Sequence, residues 1–66
     1  MPLITVEGPG IKDLDKKRVM VKKITNAAAK AFGFSKDDIV VIIKENLPEN
    51  VGVGGELVSD RKKTKK

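Results

Sequence analysis

Apolar and polar residues change their spacing several times along the chain, and each change predicts a different element. Residues 3–7, LITVE, are aliphatic and β-branched, which favours a short strand. The GPG at 8–10 is typical of a turn or loop and ends that strand. From Leu14 to Phe32 the apolar residues return at helical spacing, so this stretch predicts an amphipathic helix with a solvated lysine-rich face.

Both ends of the predicted helix carry residues suited to capping. Asp13 and Asp15 are candidate N-caps, because a carboxylate there accepts from free backbone N–H groups and suits the helix dipole. Gly33 is placed to end the helix in a left-handed conformation. The spacing Ser35-x-x-Asp38 then predicts a single further helical turn.

The second half of the chain predicts one buried strand and one hairpin. Residues 39–45, IVVIIKE, contain five consecutive aliphatics, a pattern typical of a strand buried on both faces of a parallel sheet. Residues 46–50 predict a loop, and the glycine-rich VGVGGEL at 51–57 predicts a tight hairpin or bulged ribbon. A phosphate-binding loop is the alternative there, and it fails because no helix-opening Gly-Lys-Ser/Thr follows.

This order of elements predicts an α+β fold, a β-α-β protomer with parallel strands and a C-terminal β-hairpin. One helix covers only one face of the sheet, so the strand at 39–43 needs a second cover. A chain of 66 residues makes a marginal core and usually needs a disulfide, a metal or an oligomer as support. A partner subunit would supply both the cover and the support.

The net charge of +5 is concentrated at one end of the chain. The segment RKKTKK at 61–66 holds five of the 14 basic residues and no acid, which leaves nine basic and nine acidic residues over 1–60. We therefore expect a single domain at 1–60 and a basic, disordered tail at 61–66. A neutral body with two aromatic residues favours no specific nucleic-acid partner, although the tail would adhere weakly and in a salt-sensitive way.

Composition excludes several kinds of chemistry. The chain has no Cys and no His, which excludes disulfides, thiol nucleophiles, Ser-His triads and most zinc, haem and iron–sulfur sites. No apolar run approaches the roughly 20 residues of a membrane span, and the first residues lack the pattern of a signal peptide. We expect a cytoplasmic protein without a membrane partner.

The Met-Pro start, the length, and the segments IVVIIKE and ENVGVGGELVSD occur here together. Over residues 2–60 this combination resembles the 4-oxalocrotonate tautomerase family of the tautomerase superfamily. The resemblance implies a β-α-β protomer assembled as dimers or as hexamers built from three dimers. It also implies no cofactor, no metal, and a small enol or keto acid as substrate.

The resemblance assigns roles to four positions of this chain. Met1 is expected to be removed, and Pro2 then becomes a free secondary amine that acts as the general base. Lys12 falls where the family has a substrate-binding arginine, and a lysine keeps the charge but loses the bidentate fork. Val40 and Val51 stand where the family has a second arginine and a pocket phenylalanine. A solvated loop lysine is the alternative for Lys12.

The family implies an isomerase that interconverts enol or dienol and keto forms of a small 2-oxo acid. The aliphatic Val40 and Val51 predict reduced activity on doubly charged dienols, and Lys44, Arg18 or a neighbouring protomer's lysine are candidates to replace the missing charge. The alternative is a catalytically weak member that acts as an oligomeric scaffold or small-molecule-binding module.

Overall fold

The computed structural model describes residues 1–64, and it confirms the predicted order of strand, helix, strand and hairpin. Single 3₁₀ turns, Lys36–Asp38 and Pro48–Asn50, lie on either side of the second strand. The elements in chain order are β1 (Leu3–Gly8), α1 (Leu14–Phe32), β2 (Val40–Glu45), β3 (Gly52–Val53), β4 (Glu56–Leu57) and α2 (Val58–Thr64).

Local capping sets both ends of α1, as the sequence predicts. The Oδ1 of Asp13 accepts a hydrogen bond from the backbone N–H of Asp15 at 2.9 Å, so Asp13 is the N-cap and Asp15 lies in the first turn. Gly33 has φ 75°, in the left-handed region that favours glycine. The N–H groups of Gly33 and Phe34 both donate to the carbonyl of Ala29, at 2.9 and 3.1 Å, which satisfies the end of the helix.

The strands β1 and β2 form a two-stranded parallel sheet in which Leu3 pairs with Val40 and Gly8 pairs with Glu45. Side chains alternate between its two faces. The face towards α1 is half-buried and aliphatic, and the opposite face has no cover within the protomer. The first face holds Ile4, Val6, Val41 and Ile43, and the second, here the open face, holds Leu3, Thr5, Val40 and Ile42.

The protomer buries little of its apolar surface. Leu3 is 61% exposed and Ile42 is 41% exposed, while Ala28 is the one buried apolar residue in the described part of the chain. The radius of gyration is 15.5 Å, against about 11 Å for a compact domain of this length. The accessible surface is 5293 Å², against about 4,100 Å² for a compact monomer of this mass. A single protomer therefore leaves the open face without the cover that the sequence predicts it to need.

The C-terminal segment forms the predicted hairpin and then a short helix. Strands β3 and β4 pair antiparallel, and the turn residues Gly54 and Gly55 have φ of 63° and 85°, the backbone of a two-residue hairpin turn. Helix α2 follows over Val58–Thr64 and includes the first four residues of the basic segment. The last two residues, 65 and 66, lie outside the described part of the chain. No described helix is long and apolar enough to cross a membrane.

Candidate active site

The amino end of the sheet holds Pro2 and Val40. Pro2 directly precedes β1 and is half-buried, and its carbonyl accepts a hydrogen bond from the N–H of Val40 at 3.1 Å. This bond fixes the proline at the start of the strand pair. Met1 is 86% exposed and is joined to Pro2 by a peptide bond. While that bond is intact, the proline nitrogen is an amide whose lone pair is delocalised and cannot take a proton.

The carboxyl end of the sheet holds Lys12 and Val51. Lys12 is exposed on the loop between β1 and α1, where it lines a cleft of about 460 Å³. Val51 follows the Pro48–Asn50 turn and lines a mostly apolar cavity of about 340 Å³. The cleft and the cavity adjoin, because Pro9, Asn46 and Pro48 line both.

The four predicted site residues therefore form two pairs at opposite ends of the sheet. Strand β1 has six residues, which at about 3.3 Å per residue separates the two ends by about 20 Å. One protomer brings Pro2 next to Val40, and it places Lys12 and Val51 at the far end. It does not bring Pro2 and Lys12 to one substrate-sized site.

Glu45, at the end of β2, ties the Lys12 loop to the helix. Its Oε2 accepts from the backbone N–H of Ile11 at 3.0 Å and pairs with the Nζ of Lys17 at 2.8 Å. The hydrogen bond from Lys17, followed by that from the Ile11 N–H, lowers the pKa of Glu45 below the ordinary value for glutamate. Sequence reasoning missed this residue, because its loop partner becomes a neighbour only through the register that pairs Glu45 with Gly8.

A second polar contact lies at the wall of the Val51 cavity. The Nδ2 of Asn46 donates to the Oε2 of Glu7 at 2.8 Å, and the backbone N–H of Asn46 donates to the carbonyl of Gly8 at 2.9 Å. Both Glu7 and Asn46 line the cavity. Sequence reasoning missed this pair too, because the two residues are separated by 39 positions.

The two other cations considered as replacements lie in different surroundings. The Nη1 of Arg18 is paired with the Oδ1 of Asp15 at 2.6 Å on the exposed surface of α1. Lys44 is exposed and lies beside Glu7 across the strand pair. Over the described residues 1–64, no three acidic side chains gather where they could hold a metal ion.

A parallel β-α-β unit closed by a glycine hairpin, with a proline directly ahead of its first strand, is the architecture that the resemblance to tautomerases implies. The model of the tautomerase enzyme family matches residues 2–61. The chain belongs to the tautomerase family.

Individual relatives agree with this assignment. A 2-hydroxymuconate tautomerase of Bacillus subtilis is 35% identical over 60 residues, which cover 91% of this chain and 97% of the relative. The crystal structure of DmpI from Archaeoglobus fulgidus is 42% identical with a TM-score of 0.81, over 89% of this chain and 100% of that one. A heterohexamer 4-oxalocrotonate tautomerase from Chloroflexus aurantiacus is 25% identical with a TM-score of 0.82, over 91% and 97% of the two chains.

Proposed function

We propose that this protein is a cofactor-independent, cytoplasmic tautomerase that interconverts the enol and keto forms of a small 2-oxo acid. Pro2, exposed as a free secondary amine once Met1 is removed, is the general base. It takes a proton from the enol oxygen and returns one to carbon. The observation that carries the proposal is the position of Pro2, half-buried and hydrogen-bonded at the start of β1 in a chain of the tautomerase family.

The surroundings of Pro2 suit a base that works near neutral pH. A secondary amine is normally cationic there, but apolar neighbours disfavour the charged form and lower its pKa. Pro2 is half-buried, its carbonyl accepts a hydrogen bond from the N–H of Val40, and the residues next to it, Leu3 and Val40, are aliphatic. The rigid ring also fixes the direction of the lone pair. A base whose pKa lies near the working pH is the most effective kind.

The proposed site is completed by a second protomer. Pro2 and Lys12 lie at opposite ends of one sheet, so a substrate that touches both must lie between the amino end of one protomer and the carboxyl end of another. The uncovered open face gives such an assembly an apolar surface to bury. A relative is described as a heterohexamer. For this chain we propose a homo-oligomer, either a hexamer or a dimer.

Within that site we assign Lys12 to the substrate carboxylate, and Val40 and Val51 to its apolar wall. The relative from Bacillus subtilis is named for 2-hydroxymuconate, which makes that dienol a reasonable test compound. Losing one donor to a developing oxyanion costs on the order of 10²–10³ in rate. Because Val40 and Val51 offer no charge, we expect this doubly charged dienol to be a poor substrate.

The decisive experiment is ketonisation of phenylenolpyruvate by the wild type and by Pro2→Ala, both shown by intact mass to lack Met1. We expect the substitution to lower kcat by about 10²–10⁴, the usual contribution of a positioned base. A matched control keeps Pro2 but leaves a short extension ahead of it, so that its nitrogen stays an amide. This control should lose a similar share of the rate.

Equal rates for the wild type and Pro2→Ala would refute the base assignment. If both are inert, the second candidate gains support, a non-catalytic member that serves as an oligomeric scaffold or a small-molecule-binding module. The aliphatic residues at 40 and 51 are the observation that favours this candidate.

A further inference from the structure

Glu7 gives the Val51 cavity a fixed negative charge. It is the charged side chain among the described residues that line this cavity, whose other walls include Val51, Val58 and Pro48. The 2.8 Å hydrogen bond from the amide of Asn46 holds one carboxylate oxygen in place. Asn46 is itself anchored by its backbone N–H to the carbonyl of Gly8. The carboxylate is therefore positioned by the ends of both strands of the sheet.

The negative charge of Glu7 is not neutralised by an ion pair with a described cation. Among the side chains that the structure describes, none forms an ion pair with Glu7 within 4.0 Å. Lys44, its neighbour across the strand pair, does not line the cavity. Lys17 is already paired with Glu45. Lys12 lines the adjoining cleft and can therefore contact a ligand that extends from the cleft into the cavity.

We propose that Glu7, held by Asn46, is a specificity-determining residue that admits 2-oxo acids with one carboxylate and repels a second carboxylate. The inference rests on the proposed function, since it takes the joined cleft and cavity as the place where the substrate lies. Lys12 attracts the first carboxylate, and the rest of the molecule extends into the apolar cavity. A second carboxylate at the far end of the ligand would lie near Glu7, and the two like charges would repel each other.

The dissociation constants of two 2-oxo acids of equal chain length measure this effect separately from catalysis. The probes are 2-oxohexanoate, with one carboxylate, and 2-oxoadipate, with a second carboxylate at the far end. Their dissociation constants are measured by calorimetry on the intact oligomer of the wild type and of Glu7→Gln. The glutamine keeps an acceptor for Asn46 and removes only the charge. We expect the wild type to prefer 2-oxohexanoate, and Glu7→Gln to shift that preference towards 2-oxoadipate by about threefold to tenfold.

The control is Asp37→Asn, which removes an equal charge from an exposed turn at the other end of the sheet. We expect it to leave the ratio of the two dissociation constants unchanged. The proposal is overturned if Glu7→Gln leaves the ratio unchanged, if both variants shift it equally, or if the wild type binds neither acid. The proposed function fails separately, through equal ketonisation rates with and without Pro2, so the two results remain distinguishable.

Discussion

The two ends of the parallel sheet differ in how they are built. The amino end is simple and aliphatic, with Pro2 joined to Val40 by one backbone hydrogen bond. The carboxyl end is polar. There Glu45 accepts a hydrogen bond from the loop at Ile11, Asn46 donates one to Glu7 of β1, and a cleft and a cavity adjoin. In a parallel pair all strand starts lie together and all strand ends lie together, so a base at a strand start cannot reach a binding loop at a strand end. Within one protomer this architecture separates Pro2 from Lys12 and Val51, so only assembly with a second protomer can bring them to one site.

Mixing a variant of Pro2 with a variant of Lys12 tests directly whether the active site joins the two ends of different protomers. Pro2→Ala damages the amino end, Lys12→Ala damages the carboxyl end, and each alone is expected to be weakly active. If a site joins the two ends of different protomers, random mixed oligomers regain intact sites. We expect the mixture to recover about a quarter of the wild-type rate after joint unfolding and refolding. Phenylenolpyruvate ketonisation on the refolded mixture, at matched total protein, provides the measurement.

The control is the same mixture combined without unfolding, in which subunits stay with their original partners. Its rate should equal the average of the two separate variants. A refolded mixture that also shows only this average would place the base and the lysine on one protomer, and the proposed two-protomer site would be wrong.

Substitutions of Lys12 alone are expected to change KM, and by less than the mixing experiment changes the rate. Lys12→Arg restores a bidentate donor for a carboxylate, so we expect it to lower KM for phenylenolpyruvate severalfold, whereas Lys12→Ala raises KM by about tenfold or more. Steady-state kinetics at constant ionic strength distinguish these changes from changes in kcat. Lys22→Ala, on the exposed face of α1, serves as the matched loss of a lysine. If this control raises KM as much as Lys12→Ala does, Lys12 is an ordinary solvated lysine.

The separation in sequence between interacting residues determines which features of the fold can be predicted from the sequence alone. The span of α1 follows from the periodic apolar residues, and its caps at Asp13 and Gly33 depend on neighbours a few positions away. The strand β2 follows from an unbroken aliphatic run, although it begins at Val40 rather than at the predicted residue 39. Ile39 instead donates its N–H to the carbonyl of Lys36 and closes the preceding turn. These features depend on local sequence, so a single chain is enough to predict them.

The candidate site depends on contacts that local sequence does not contain. The bond from Ile11 to Glu45 spans 34 positions and that from Asn46 to Glu7 spans 39. Both depend on the parallel register of β1 and β2, which no periodicity specifies. Pro2, Lys12, Val40 and Val51 came from the family resemblance, and their roles stay predictions.

The smallest expected effect is on stability, and it tests the contacts of Glu45 with Ile11 and Lys17 through the pH dependence of unfolding. The folded-state pKa of Glu45 is lowered, first by the hydrogen bond from Lys17 and then by the Ile11 N–H. A lowered pKa means that the ionised group stabilises the fold above the unfolded-state pKa, about 4.3 for glutamate, and that this contribution is lost as the pH falls through the folded-state value. Glu45→Gln keeps an acceptor for Ile11 and loses the ion pair.

We therefore expect the wild type to melt above Glu45→Gln at neutral pH, and the two melting temperatures to converge in acid, below the ordinary glutamate pKa. Thermal melts followed by circular dichroism across that range measure the gap. Glu49→Gln, an exposed glutamate for which no ion pair is found among the described residues, is the control and should follow the wild type at every pH. A gap between the wild type and Glu45→Gln that persists unchanged into acid would mean that the charge of Glu45 contributes nothing. Backbone hydrogen bonds and Asn46 would then be what stabilises the carboxyl end. The Lys12 loop would not be held by the charge of Glu45, and the two ends of the sheet would not differ in this respect.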